Sequence, residues 1–199
     1  MRLHEDPVSR IPWYLKPLFW LQRRRWGQVL VPAATLARVP SMYGALLGFY
    51  AAIERRGSPL EPALRSLLQV RVSQLVHCAF CIDLNAALAA ERAGSMDKAM
   101  AVEDWRASPL FSPRERLALE YAEAITAGAV TDALSARVRD GFGEAGLVEL
   151  TGLLAFQNLS ARFNAALDLP PQGFCRMPPR RGTVPGAERE PERGLNRRA

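Results

Sequence analysis

The 199-residue chain has only 3 cysteines and 2 histidines, and each shortage excludes a class of protein. Three cysteines are neither dense nor even in number, which rules out a secreted domain stapled by disulfides. A structural zinc site needs four sulfur, nitrogen or oxygen ligands. Beyond Cys78 and Cys81 only Cys175, His77 and His4 remain, and none stands at a finger spacing. Long apolar runs are missing as well. The longest, Met42 to Ile53, falls short of the ~20 residues that cross a bilayer. The opening Met1-Arg2-Leu3-His4-Glu5-Asp6 carries acids, and no apolar core follows it, so it does not read as a secretory signal. These absences lead us to expect a cytoplasmic protein with no membrane contact. No segment sustains the two-residue alternation of a half-buried strand, which points to an all-α fold.

What charge there is lies at the ends. The formal net charge is +6, yet residues 1–26 hold 6 basic against 2 acidic side chains and residues 176–199 hold 7 against 3, leaving a body with 13 against 15. A nucleic-acid module would carry a basic stripe on its folded face, so no nucleic-acid partner is expected. The chain divides into an aromatic and basic N-terminal arm over 1–34, a helical domain over 35–175, and a tail over 176–199 rich in Pro, Gly and Arg that reads as disordered. Three prolines, Pro7, Pro12 and Pro17, argue for an irregular arm. Its tryptophans have to cover something, either their own domain or a neighbouring subunit.

Between the tails the apolar residues recur at three- and four-residue steps. Leu64, Leu67, Leu68, Val72 and Leu75 form one such series, and Ser58-Pro59-Leu60-Glu61 supplies a helix start before it. Ser112-Pro113-Arg114-Glu115 repeats that signature ahead of a helix through Leu117, Tyr121 and Ile125 that stops near Gly128. The two starts hint weakly at an internal duplication. Further helices are expected over 42–56, 80–93, 96–105, 132–140 and 144–167, with Gly57, Gly94, Gly141 and the Pro170-Pro171 pair as stops.

Within this helical pattern, Gln74-Leu75-Val76-His77-Cys78-Ala79-Phe80-Cys81-Ile82-Asp83 places two thiols one turn apart at a helix start. Positions i and i+3 share a helix face, with Cβ atoms roughly 5–6 Å apart, and a disulfide needs Cα atoms about 4.4–6.8 Å apart. The unpaired N–H groups of a helix N-terminus stabilise a thiolate. A functional dithiol is the leading reading, and burial as small apolar residues is the bland one. His77 suits a thiolate-stabilising cation or a solvated cap residue. Asp83 suits a proton handler or a first-turn acid matched to the helix dipole.

Arg71-Val72-Ser73-Gln74-Leu75 leading into Cys78-Ala79-Phe80-Cys81, with an alanine-rich helix and Gly94 behind it, resembles the carboxymuconolactone decarboxylase and alkylhydroperoxidase-D-like family. The later run Gln157-Asn158-Leu159-Ser160-Ala161-Arg162-Phe163-Asn164 and Pro171-Gln172-Gly173-Phe174-Cys175 look like one branch of it. The resemblance covers about residues 35–175. It implies a compact all-helical domain that assembles into a homo-oligomer, a trimer, hexamer or dimer. It also implies a peroxidase pair in which the second cysteine, here Cys81, attacks the peroxide and the first, Cys78, resolves it. The family's proton relay has a Glu 12 residues before the first cysteine and a His 4 residues after the second, positions that are Ser66 and Asn85 in this chain.

The chemistry this implies is thiol peroxidase or disulfide exchange. Cys81 would be oxidised by a peroxide or disulfide substrate, Cys78 would close the disulfide, and an external dithiol reductant would reopen it. No metal or organic cofactor is required. A lyase of the decarboxylase type and a non-catalytic helical scaffold or redox sensor are the competing readings. Cys175, in a turn after the last long helix, is expected to be structural or incidental.

Overall fold

The computed structural model describes residues 1–4 and 6–175. The expected disordered tail, 176–199, lies outside the described residues. Among the described residues the chain is all-α, with two short 3-10 turns (Pro7–Arg10 and Trp13–Leu15) and eight helices. These are α1 (Lys16–Trp26), α2 (Val31–Leu36), α3 (Pro40–Ile53), α4 (Pro62–Leu75), α5 (Ala79–Ala93), α6 (Met96–Met100), α7 (Pro113–Ala127) and α8 (Asp132–Ala166). None of them is long and apolar enough to cross a membrane.

The centre of the molecule is α4, which packs against α5, α7 and α8. Its leucine and valine series is buried, and so are Arg65, Ser66, Gln69 and Ser73, which sets it among neighbours on nearly every side. The polar members of such a helix must find partners, and two of them build the site described below. Helix α5 begins on Cys78 and ends at Gly94, whose φ of 65° is the left-handed conformation that closes a helix. Helix α7 carries the complete capping box expected of Ser112 and Glu115 and stops at Gly128. The last two expected helices run into one another as α8, broken at Gly143 with φ 74° and ψ 170°.

The structure moves two helix boundaries and makes the arm more regular than expected. Ser58 does not cap α4. Its Oγ accepts the Leu60 N–H at 3.1 Å and donates to Glu149 at 2.7 Å, while Glu61 occupies the cap position and Pro62 the first turn. The repeat of helix starts that hinted at a duplication is therefore absent. Helix α6 ends at Met100, and the expected stretch to residue 105 continues as turns. In the N-terminal arm the prolines are less disruptive than their number suggests, because Pro17 and Pro32 sit in first turns where the missing N–H costs nothing. The arm folds along its own domain: Phe19 stacks on Tyr43 at 5.6 Å, and Arg25 pairs with Glu91 at 2.9 Å. By contrast α3 carries no charged side chain and buries only Tyr43, leaving Met42, Leu47 and Phe49 exposed.

Candidate active site

Chain reversal between α4 and α5 sets the two thiols. Val76 ends α4, His77 takes φ 56°, and the Cys78 N–H donates to the Ser73 carbonyl at 3.0 Å. Cys78 is then the N-cap of α5, with its Sγ accepting the Cys81 N–H at 3.3 Å. This is the role a serine or aspartate oxygen plays elsewhere, filled here by sulfur. The two Sγ atoms stand 2.6 Å apart, inside van der Waals contact, and neither belongs to a disulfide. Both cysteines are buried, at 1% and 3% exposure, in a small cluster with Phe80 and Ala161.

The pair holds protons jointly rather than residue by residue. Cys78 is pulled below the usual thiol range, first by the hydrogen bond from the Cys81 thiol, then by the Cys81 and Phe80 backbone N–H groups and the Asn164 amide, against the effect of burial. Cys81 is pushed up because it keeps the shared proton beside the Cys78 thiolate and is itself buried. Asn164, on α8, also donates to Cys81 Sγ at 3.2 Å. The first ionisation leaves one negative charge and one proton between two sulfurs.

Only Cys81 of the two lines the adjoining cavity, which has a volume of about 260 Å³. Its walls come from α1, α2, α3, α4, α5 and α8. They are largely apolar, with Trp26, Leu47, Phe80, Leu88 and Phe156 among them, and among the described residues no acidic, basic or histidine side chain lines the cavity. Its polar members are amides and hydroxyls. Behind them Ser73 Oγ donates to the Gln69 carbonyl at 2.6 Å and accepts Asn85 Nδ2 at 3.1 Å and Gln157 Nε2 at 3.0 Å. One buried hydroxyl thereby ties α4, α5 and α8 together beside the dithiol.

The positions of the missing relay are structurally occupied. Ser66 Oγ accepts Arg92 at 3.0 Å, and that guanidinium is held by both oxygens of Glu54, at 3.2 and 2.9 Å. Asn85 is bound to Ser73 as above. Of the four residues expected at the site, Cys78 and Cys81 come together and two take other places. His77 is exposed and serves the turn rather than either sulfur. Asp83 has no spare oxygen for proton handling. Its Oδ2 accepts the N–H groups of Gln172, Gly173 and Phe174 at 2.8, 2.7 and 3.1 Å, and its Oδ1 accepts that of Cys175 at 2.7 Å.

That carboxylate clamps a strap over the dithiol. Phe174 meets Phe80 and Trp26 edge to face, with ring centroids at 6.3 and 5.6 Å. Gln172 reaches back to Gln28, Val29 and Val31 of the arm. Cys175 packs against the main core and takes no part in the dithiol. Ser73, Gln157, Asn164 and Gln69 were not among the expected site residues, although the first three stand in the runs that carry the family resemblance. Their signal was a polar residue on an otherwise apolar helical face, visible only once the neighbouring helices are placed.

The all-α fold that carries this dithiol has counterparts among known proteins. The chain belongs to the carboxymuconolactone decarboxylase family, which residues 40–124 match. The uncharacterized protein YnjA of Escherichia coli (strain K12) is 50% identical over 177 residues, covering 88% of this chain and 97% of that one. An uncharacterized peroxidase-related protein from Silicibacter sp. TM1040 shares the fold with a TM-score of 0.78 at 19% identity, covering 86% of this chain and 91% of its own. The debrominase Bmp8 does so with a TM-score of 0.73 at 20% identity, covering 83% and 89%.

Proposed function

We propose that the protein is a dithiol oxidoreductase of the thiol peroxidase type. The observation that carries this reading is the juxtaposition at Cys81: its sulfur lines a largely apolar pocket while standing 2.6 Å from Cys78. A substrate in the cavity reaches one sulfur, and the second is already placed to resolve the product. The likeness in fold to a peroxidase-related protein supports the class of chemistry.

The singly protonated pair replaces the absent relay. Moving the proton from Cys81 to Cys78 puts the thiolate in the cavity, where it attacks the distal oxygen of a hydroperoxide and breaks the O–O bond. The products are a sulfenic acid on Cys81 and an alkoxide. The alkoxide takes the proton stored on Cys78. The new Cys78 thiolate displaces hydroxide from the sulfenic sulfur, closing the disulfide, and an external dithiol returns two electrons by exchange. Disulfide exchange with a large partner fits less well, since both sulfurs are over nine-tenths buried. A decarboxylase-type lyase fits poorly too, because a carboxylate substrate would enter a cavity lined, among the described residues, by no cationic side chain.

The same two electrons would reduce a carbon–bromine bond, giving the hydrocarbon, bromide and a proton. The aromatic wall of the cavity favours keeping this second reading, in line with the fold-level likeness to a debrominase. We propose further that the protein is a homo-oligomer, with the outer face of α3 covered by another copy, since apolar side chains such as Met42 and Phe49, which share one face of a helix with no charged residue, are left exposed. The test of the main reading is a thiol count during peroxide addition. We expect two of three thiols to disappear per equivalent while Cys175 stays reduced; a protein that keeps all three under excess peroxide contradicts it.

A further inference from the structure

The cavity beside Cys81 contains a polar group that the dithiol chemistry does not use. Gln69 is 3% exposed and lines the cavity from α4. Its backbone carbonyl accepts the Ser73 hydroxyl, but its side-chain amide makes no hydrogen bond among the described residues, unlike the amides of Asn85, Gln157 and Asn164 around it. A buried amide without a partner is costly unless something fills the gap. Its oxygen and nitrogen are also not among the side-chain atoms sealed from solvent without a partner, so the amide meets the cavity space.

We infer that Gln69 is the specificity-determining contact of this cavity, which binds an uncharged organic molecule of about one ring, with the Gln69 amide hydrogen-bonded to its hydroxyl-type head. The inference rests on the reading of Cys81 as the reacting sulfur only for its choice of ligand chemistry. Size follows from volume: an apolar cavity of about 150 Å³ accepts benzene, so about 260 Å³ accommodates a ring with a short branched substituent. Charge follows from the lining. With only apolar side chains, amides, hydroxyls and the Cys81 thiol on the walls among the described residues, a carboxylate or phosphate would be stripped of water with no cation among them to receive it. The thiolate adds repulsion. An amide supplies both a donor and an acceptor, which matches a hydroperoxide before reaction and the alcohol after it.

The test uses unreactive probes, so that it is separate from turnover. Binding of 2-phenyl-2-propanol, its hydrocarbon analogue isopropylbenzene, and its 4-carboxylate derivative is measured by calorimetry on the reduced wild-type protein, Gln69→Leu and Gln69→Met. The alcohol should bind saturably at one site and the carboxylate at least about 100-fold more weakly. In both variants the preference for alcohol over hydrocarbon should fall roughly fivefold to tenfold, the loss of one hydrogen bond, while hydrocarbon binding persists and shows that the cavity is intact. Equal binding of alcohol and carboxylate, an unchanged alcohol-to-hydrocarbon ratio in the variants, or no saturable binding would each overturn the inference. A wild-type protein that binds the alcohol as described but never oxidises its dithiol would overturn the proposed function and leave this inference standing.

Discussion

Asp83 offers the sharpest structural perturbation, because one carboxylate holds four backbone N–H groups of the strap at 2.7 to 3.1 Å. Hydrogen bonds to a charged acceptor contribute roughly 1.5–3 kcal/mol each, less what water recovers when they break. In Asp83→Asn the amide oxygen can keep the three donors now on Oδ2, but its NH2 then faces the Cys175 N–H. One bond is lost and two donors are opposed, at a cost of about 2 kcal/mol. In Asp83→Ala all four are lost. The freed strap can turn its N–H groups to water, so the cost stays near about 4 kcal/mol, a large part of the roughly 5–15 kcal/mol that holds a domain together. At a urea slope of about 2 kcal/mol per molar, the unfolding midpoint should fall by about 1 M in the first variant and about 2 M in the second. Release of Phe174 from Phe80 should also speed alkylation of Cys78 in folded Asp83→Ala. An unchanged midpoint together with unchanged alkylation would refute the clamp and return Asp83 to consideration as a proton handler.

The dithiol should titrate asymmetrically: in Cys175→Ser, thiolate absorbance should show one ionisation below the usual value near about 8.5 and none for the second sulfur in the ordinary range. The sign for stability follows. Between the lowered Cys78 pKa and about 8.5 the unfolded chain binds more protons than the native one, so stability rises with pH; above about 8.5 the unfolded chain loses the proton that native Cys81 retains, and stability falls. Urea midpoints across this range, flat in the oxidised protein, check it. Ser73→Ala leaves the Asn85 and Gln157 amides without their shared acceptor and should cost about 2–3 kcal/mol, again read from the midpoint. Light scattering should give a mass above the 22.0 kDa of one chain, and Met42→Glu on the exposed face of α3 should lower it toward that value.

Much of this was legible in the sequence where local chemistry decides the outcome. The Ser112 capping box, the stops at Gly94 and Gly128, and the placement of Cys78 at a helix start all follow from side chains within one turn of the feature. Ser58 misled because a serine followed by Pro and Glu satisfies the pattern of a cap, yet Glu149, 91 residues away, claims its hydroxyl. Asp83 misled for the same kind of reason: its partners are 89 to 92 residues off, so its first-turn position reveals nothing of the strap. The amide network around Ser73 could not be read at all, since it exists only where three helices meet.

The central claim is that Cys81 receives the substrate and Cys78 resolves it. It is tested most directly by peroxide treatment of the single variants with dimedone present, followed by peptide mass spectrometry. The account predicts a dimedone adduct on Cys81 in Cys78→Ser, no adduct on Cys78 in Cys81→Ser, and an intramolecular Cys78–Cys81 disulfide in the wild type. An adduct on Cys78 in Cys81→Ser, formed as fast as the wild-type disulfide, would contradict it by making the buried capping sulfur the site of attack.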